Sequence, residues 1–218
     1  MKHGVMALAI GLLSLGFVPG ANAASLIDFQ GYSYELGGFP PSQNGDALNF
    51  VALIDGLTPP LSWNPAGNEY TLHLSNLTSL GTQQPDPDNI VVHYAGGSLA
   101  MHEDASFNAD PGINPPNASA PGSYIDGPLY LGGTLTNFTI FFNTQFNSGA
   151  FEADVTFNTG GHFTELGAQT TGYTFGGVFI FGVPTGYDLQ WDGQILLDPV
   201  PVENVTWGGI KGTFAQQR

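Results

Sequence analysis

The sequence predicts an all-β fold: a single-domain antiparallel β-sandwich, jelly-roll-like, with about ten to eleven strands following a cleaved signal peptide. Three observations predict it. No segment carries the 3.6-residue apolar period of a helix. Thirty-one glycines and sixteen prolines break the chain into short runs. Those runs are rich in Phe, Thr, Val and Tyr and alternate apolar with polar residues, as strands with one packed and one wet face do.

The first 23 residues read as a leader rather than as part of the fold. Lys2 and His3 precede an apolar run from Val5 to Val18, Pro19 and Gly20 break that run, and Ala21-Asn22-Ala23 supplies a small-x-small cleavage site. The apolar run is shorter than the roughly 20 residues a membrane-spanning helix needs. The expectation is export, to the periplasm or the extracellular space, with residues 24–218 as the mature domain and no transmembrane segment in it.

Strands are expected near 26–34, 47–54, 69–77, 89–95, 98–104, 129–142, 150–158, 161–166, 172–182, 187–197 and 203–214. The clearest alternations set Tyr70, Leu72 and Leu74 against Thr71, His73 and Ser75, and Phe151, Ala153, Val155 and Phe157 against Glu152, Asp154 and Thr156. A third sets Tyr187, Leu189 and Trp191 against Asp188, Gln190 and Asp192. Residues 105–128 hold Pro111, Pro115, Pro116, Pro121 and Pro128 and little apolar content, and are expected to form one long loop.

Charge and cysteine content exclude several classes of function. The chain has no cysteine, so thiol catalysis, zinc–thiolate sites, disulfides and a lipid-modified cysteine are excluded. Its basic residues are Lys2, Lys211 and Arg218 against 18 Asp and Glu. With the leader removed, two basic and 18 acidic residues leave a formal charge of −16. Nucleic-acid binding requires Lys and Arg at phosphates and is excluded on that ground. Carboxylates without cationic partners stay solvated or gather cations, and calcium is the natural oxygen-liganded ion outside a cell.

Two groups of residues could hold a metal. If Gly96-Gly97 is a two-residue hairpin turn, Tyr94 faces Leu99, and His93 and His102 become diagonal neighbours, about 7–8 Å apart, with Asp104 on the same face. Two imidazoles and a carboxylate suit zinc. If Thr159-Gly160 turns the chain, Asp154 lies opposite Glu165 beside Glu152, and a cation would relieve that like-charge pair. Paired carboxylates also serve glycosidases. Pro85-Asp86-Pro87-Asp88-Asn89 reads as a rigid turn. The sequence contains no G-x-S-x-G elbow, no H-E-x-x-H and no phosphate-binding glycine loop. Trp63, Tyr124, Tyr130, Trp191 and Trp207 are candidates for a sugar-stacking platform.

Together these features point to a secreted or cell-surface non-catalytic module, structural or ligand-binding, stabilised by calcium and meeting a carbohydrate or protein partner. A secreted hydrolase, metal-dependent or acid–base, is the second reading. A small outer-membrane β-barrel is the third.

Overall fold

The computed structural model describes residues 24–112 and 122–197. The leader expected at 1–23, the middle of the long loop and the strand expected at 203–214, with Trp207, lie outside the described residues. Eight strands are present: β1 (Ala24–Leu36), β2 (Asn44–Leu57), β3 (Glu69–Asp86), β4 (Asn89–Asp104), β5 (Leu129–Asn143), β6 (Ser148–Thr159), β7 (Tyr173–Ile180) and β8 (Leu189–Leu197). A four-residue helix, α1 (Gly122–Ile125), follows β4, and a 3-10 turn spans Phe163–Leu166 after β6.

The all-β expectation holds, but the sheet is not a sandwich. Each strand pairs antiparallel with the next, and β8 pairs back onto β1 through Ala24↔Leu197 to Ser33↔Leu189, which closes a barrel in simple up-and-down order. The strand count is lower for identifiable reasons. The runs 89–95 and 98–104 are one continuous strand, and 161–166 winds into the 3-10 turn.

Gly96-Gly97 is therefore not a hairpin turn. Both residues have positive φ (76° and 125°), and beside them on β3 Asn76 is also left-handed, at φ 60°. Pairing passes the glycines without a register shift, Ser75↔Ser98 and Leu77↔Gly96, so they are a positive-φ irregularity inside one continuous strand. A side chain at Gly97 would meet Leu135 Cβ at 2.8 Å.

Alternation turns one face of every strand into the barrel. Eight strands give an interior that side chains alone can fill, and aromatic rings fill this one. Phe29 stacks on Phe175 (4.9 Å, 8°), and Trp191 packs against Phe151 at 4.1 Å and Phe50 at 5.1 Å. Glycines at inward positions make the room. A Cβ at Gly193 would sit 2.7 Å from Cζ of both Phe29 and Phe151, and one at Gly177 2.2 Å from the Asp192 carbonyl. The outward positions carry Asp28, Gln30, Asp55, His73, Glu152, Asp154, Asp192 and Gln194. A transmembrane barrel has the opposite arrangement, apolar outside and polar within. No helix among the described residues is long and apolar enough to cross a membrane.

The described parts of the long loop lie on the outer wall. The Tyr124 carbonyl accepts a hydrogen bond from Thr71 Oγ1 (2.8 Å), and the Pro111 carbonyl accepts one from the Tyr187 hydroxyl. Tyr124 and Tyr187 bury with Val51 in a small second cluster, against Tyr32 and Tyr34.

Candidate functional site

The site with most chemistry lies at the barrel end where β4 stops and β5 begins. After β6, Gly160 turns the chain at φ 115°, and the backbone N–H groups of Gly161 and His162 donate to the carbonyls of Leu129 (2.9 Å) and Tyr130 (3.0 Å). That anchorage lays the His162 ring on the buried Tyr130 ring, 4.1 Å away and 15° from parallel. His162 Nδ1 meets Glu165 Oε1 at 2.9 Å and Nε2 meets Glu103 Oε1 at 3.3 Å.

Each carboxylate is held from behind. Glu165 accepts from the Ser62 backbone N–H (2.8 Å) and hydroxyl (2.7 Å), and Glu103 accepts from Asn68 Nδ2 (3.3 Å). The Tyr130 hydroxyl donates to the Ser62 carbonyl (2.6 Å). Trp63 packs on Tyr70 at 4.6 Å, beside this group.

Carboxylates only accept, so an imidazole with one on each nitrogen makes both bonds only when doubly protonated. Burial works against the charge on His162, but the hydrogen bonds and charges of Glu165 and Glu103 outweigh it and raise the pKa. For Glu165 burial pushes upward, and the Ser62 and His162 hydrogen bonds overcome it, so its pKa is lowered. The group is a half-exposed imidazole, its charged form favoured, clamped between two carboxylates. It can hold and release a proton, and it ties the 3-10 turn to β4 and to the β2–β3 connection.

A second polar knot closes the other end. Glu35, only 4% exposed, accepts from the Tyr94 hydroxyl (2.6 Å) and from Ser42 Oγ, which also contacts Ser79 Oγ at 2.5 Å. Asp188 accepts from the Glu35 backbone N–H at 2.7 Å. Burial is the main cause that raises the pKa of both Glu35 and Asp188.

The residues singled out from sequence are mostly scattered. His93 and His102 are nine residues apart on β4, roughly 30 Å at the rise of a strand. His93 Nδ1 pairs with Thr139 Oγ1 (3.0 Å), and His102 Nδ1 with the Gly127 carbonyl (2.8 Å). The histidine diagonal to His102 is His73 on β3. Asp104 faces Glu69 and accepts from the Ser106 N–H (3.0 Å). Asp154 lies between Thr136 and Thr174, not opposite Glu165, and accepts from Asn137 Nδ2 (2.6 Å). Glu152 lies between Thr139 and Gly176. Of these six, Glu165 alone enters the clamp. Among the described residues no group of three or more His, Asp or Glu is placed to hold a metal ion.

Glu103 and His162 are the site residues that sequence reasoning missed. A strand over 161–166 would send residues 162 and 165 to opposite faces. The 3-10 turn has three residues per turn and stacks them. The His-x-x-Glu spacing was the available signal. Among the described residues the sugar platform is not assembled either: Tyr124, Tyr130 and Trp191 are buried, and Trp63 is half-buried.

No known protein-family model, curated protein or solved structure matches this chain.

Proposed function

We propose that this chain is an exported, non-catalytic barrel, a structural or ligand-binding module of the secreted or cell-surface space that meets its partners through its outer wall and ends. The observation that carries the reading is the packed interior. The Phe29, Phe50, Phe151, Phe175 and Trp191 rings occupy the space in which a hollow eight-stranded barrel would hold a ligand. Supporting it over a membrane-spanning barrel is the wall itself, acidic and polar outward and aromatic inward. The carbohydrate or protein partner and the stabilising cation belong to this proposal. For the cation, the support is an acid-rich wall with almost no Lys or Arg to answer it.

One observation favours the second reading, a hydrolase. His162 between Glu103 and Glu165 is a proton donor with solvent access. A single experiment separates the two. The mature chain and its His162→Ala variant are assayed against chromogenic esters, glycosides, phosphates and peptides in mildly acidic and neutral buffer. No turnover by either protein supports the module. Turnover lost in the variant overturns it in favour of acid–base hydrolysis.

A further inference from the structure

We propose that His73 and His102 form a two-histidine site on the outer wall that binds a divalent copper ion. Leu72, Leu74, Leu99 and Met101 point into the core, so the residues alternating with them face outward. The register pairs Thr71↔His102 and His73↔Ala100 then make the two histidines diagonal neighbours on β3 and β4. Diagonal side chains across such a pair start roughly 7–8 Å apart or less. Two nitrogens bound to one ion at about 2.0 Å each lie at most about 4 Å apart, which two imidazoles leaning toward each other reach. Ala100, opposite His73, has only a methyl group to put between the rings. The two imidazoles already sense one another: burial lowers the pKa of His73, and His102 lowers it further, as a like charge close by does.

His102 is held in the form that a metal requires. Its Nδ1 lies 2.8 Å from the Gly127 carbonyl, which only accepts, so Nδ1 carries the proton and Nε2 of the neutral ring keeps a bare lone pair. Metal-binding histidines donate their second nitrogen to a carbonyl or carboxylate in this way. The carbonyl is itself fixed in place. A Cβ at Gly127 would run into the Glu103 carbonyl oxygen and lie 2.9 Å from Asp104 Cβ, so only glycine lets the segment approach β4 this closely. The Glu103 N–H donates to the Pro128 carbonyl (3.1 Å) and pins the same segment. No hydrogen bond among the described residues engages His73, which leaves its ring free to turn toward His102. Both histidines are half-buried, not sealed.

The donor set selects the ion. Among the described residues no third His, Asp or Glu joins the pair, and the chain has no cysteine. Two imidazoles with the remaining positions left to water fit the tetragonal nitrogen–oxygen coordination of copper(II). They fall short of the three or four protein ligands of a zinc site. Copper(II) also binds most tightly of the divalent first-row ions at a given nitrogen site. His93, bonded to Thr139, and His162, between its two carboxylates, belong to other contacts.

Titration of the metal-free mature chain with copper(II) chloride at neutral pH tests this, read by calorimetry and by electron spin-echo envelope modulation, which counts the imidazoles on the copper. The expected result is one ion per chain carrying two imidazoles, and weaker binding of zinc(II). His73→Ala and His102→Ala should each lower the copper affinity at least about tenfold and leave a single imidazole on any copper still bound. His93→Ala should change neither quantity. Circular dichroism identifies any variant that fails to fold, and the imidazole count on the native chain needs no variant. A chain that takes up no stoichiometric copper overturns the proposal. So does a bound ion with fewer than two imidazoles, an affinity indifferent to His73→Ala, or zinc held more tightly than copper.

Discussion

Two buried hydroxyls of the same chemical type make opposite contributions. Ser42 Oγ bonds Glu35 and Ser79 inside the knot. Ser33 Oγ is fully buried on β1 with no hydrogen-bond partner among the described residues. Removing a bonded partner strands a buried carboxylate, whereas removing an unpaired hydroxyl relieves a desolvated group. Ser42→Ala should therefore destabilise by about 1–3 kcal/mol and Ser33→Ala by nothing, or should stabilise by up to about 1 kcal/mol. Urea unfolding midpoints compare them, and a Ser33→Ala loss as large as that of Ser42→Ala would show that Ser33 is not an orphan. His162 is a residue-scale case of a different kind. Its raised pKa stabilises the fold below the ordinary imidazole pKa, and that stability is lost as pH rises through the folded value. The clamp is half-exposed, so His162→Gln should cost no more than about 1 kcal/mol at pH near 5.5 and less near pH 9.

At the scale of elements, β4 shows how much the sequence discloses. Its two halves were legible as apolar–polar alternation, and Tyr94, Leu99 and Met101 do face the core. The glycine pair between them was not legible as the interior of one strand, because Gly-Gly also serves a hairpin turn. Only the neighbours decide, and β3 and β5 both run past the pair in register, Leu74↔Leu99 on one side and Leu99↔Gly133 on the other. The misreading moved His93 and His102 together by tens of ångströms. Residues 161–166 were misread for a similar reason, since a six-residue mixed segment does not reveal its period. Gly97→Ala tests the need for glycine there. It places a Cβ at φ 125° within 3.0 Å of Leu77 and Leu135, so stability should fall by about 1–3 kcal/mol. An unaltered unfolding midpoint would mean that the backbone and its two neighbours relax freely.

For the whole molecule, barrel and sandwich are the same pattern of strands until the last pairing is made. Closure depends on β1 meeting β8, the two ends of the described chain, and no local run of residues signals so distant a partner. Composition did disclose the charge imbalance, and the folded state responds to it with pH. Glu35, Asp188 and Asp55 have pKa values raised first by burial, so the stability they favour is present at low pH and lost as pH rises from the ordinary carboxylate range. His162 continues that loss above neutrality. Glu165, and His73 whose pKa burial lowers, act in the other direction as pH falls. Greatest thermal stability is therefore expected at about pH 5–6, with a lower unfolding midpoint at about pH 8. A midpoint that climbs steadily to pH 8 would contradict this balance.

The pairing of Ala24 with Leu197 has a practical consequence. The two ends of the ring of strands emerge side by side at the same rim, while the β5–β6 turn at Thr144–Asn147 sits at the opposite one. A short glycine-rich tether from Leu197 to Ala24, with the chain re-cut within Thr144–Asn147, would yield a circularly permuted protein whose first strand is β6 and whose last is β5. Every ladder of the native ring survives that re-cutting, so the permutant should fold to the same far-ultraviolet spectrum. Its new ends would leave from the far side, which makes the barrel a spacer that can be grasped from either rim.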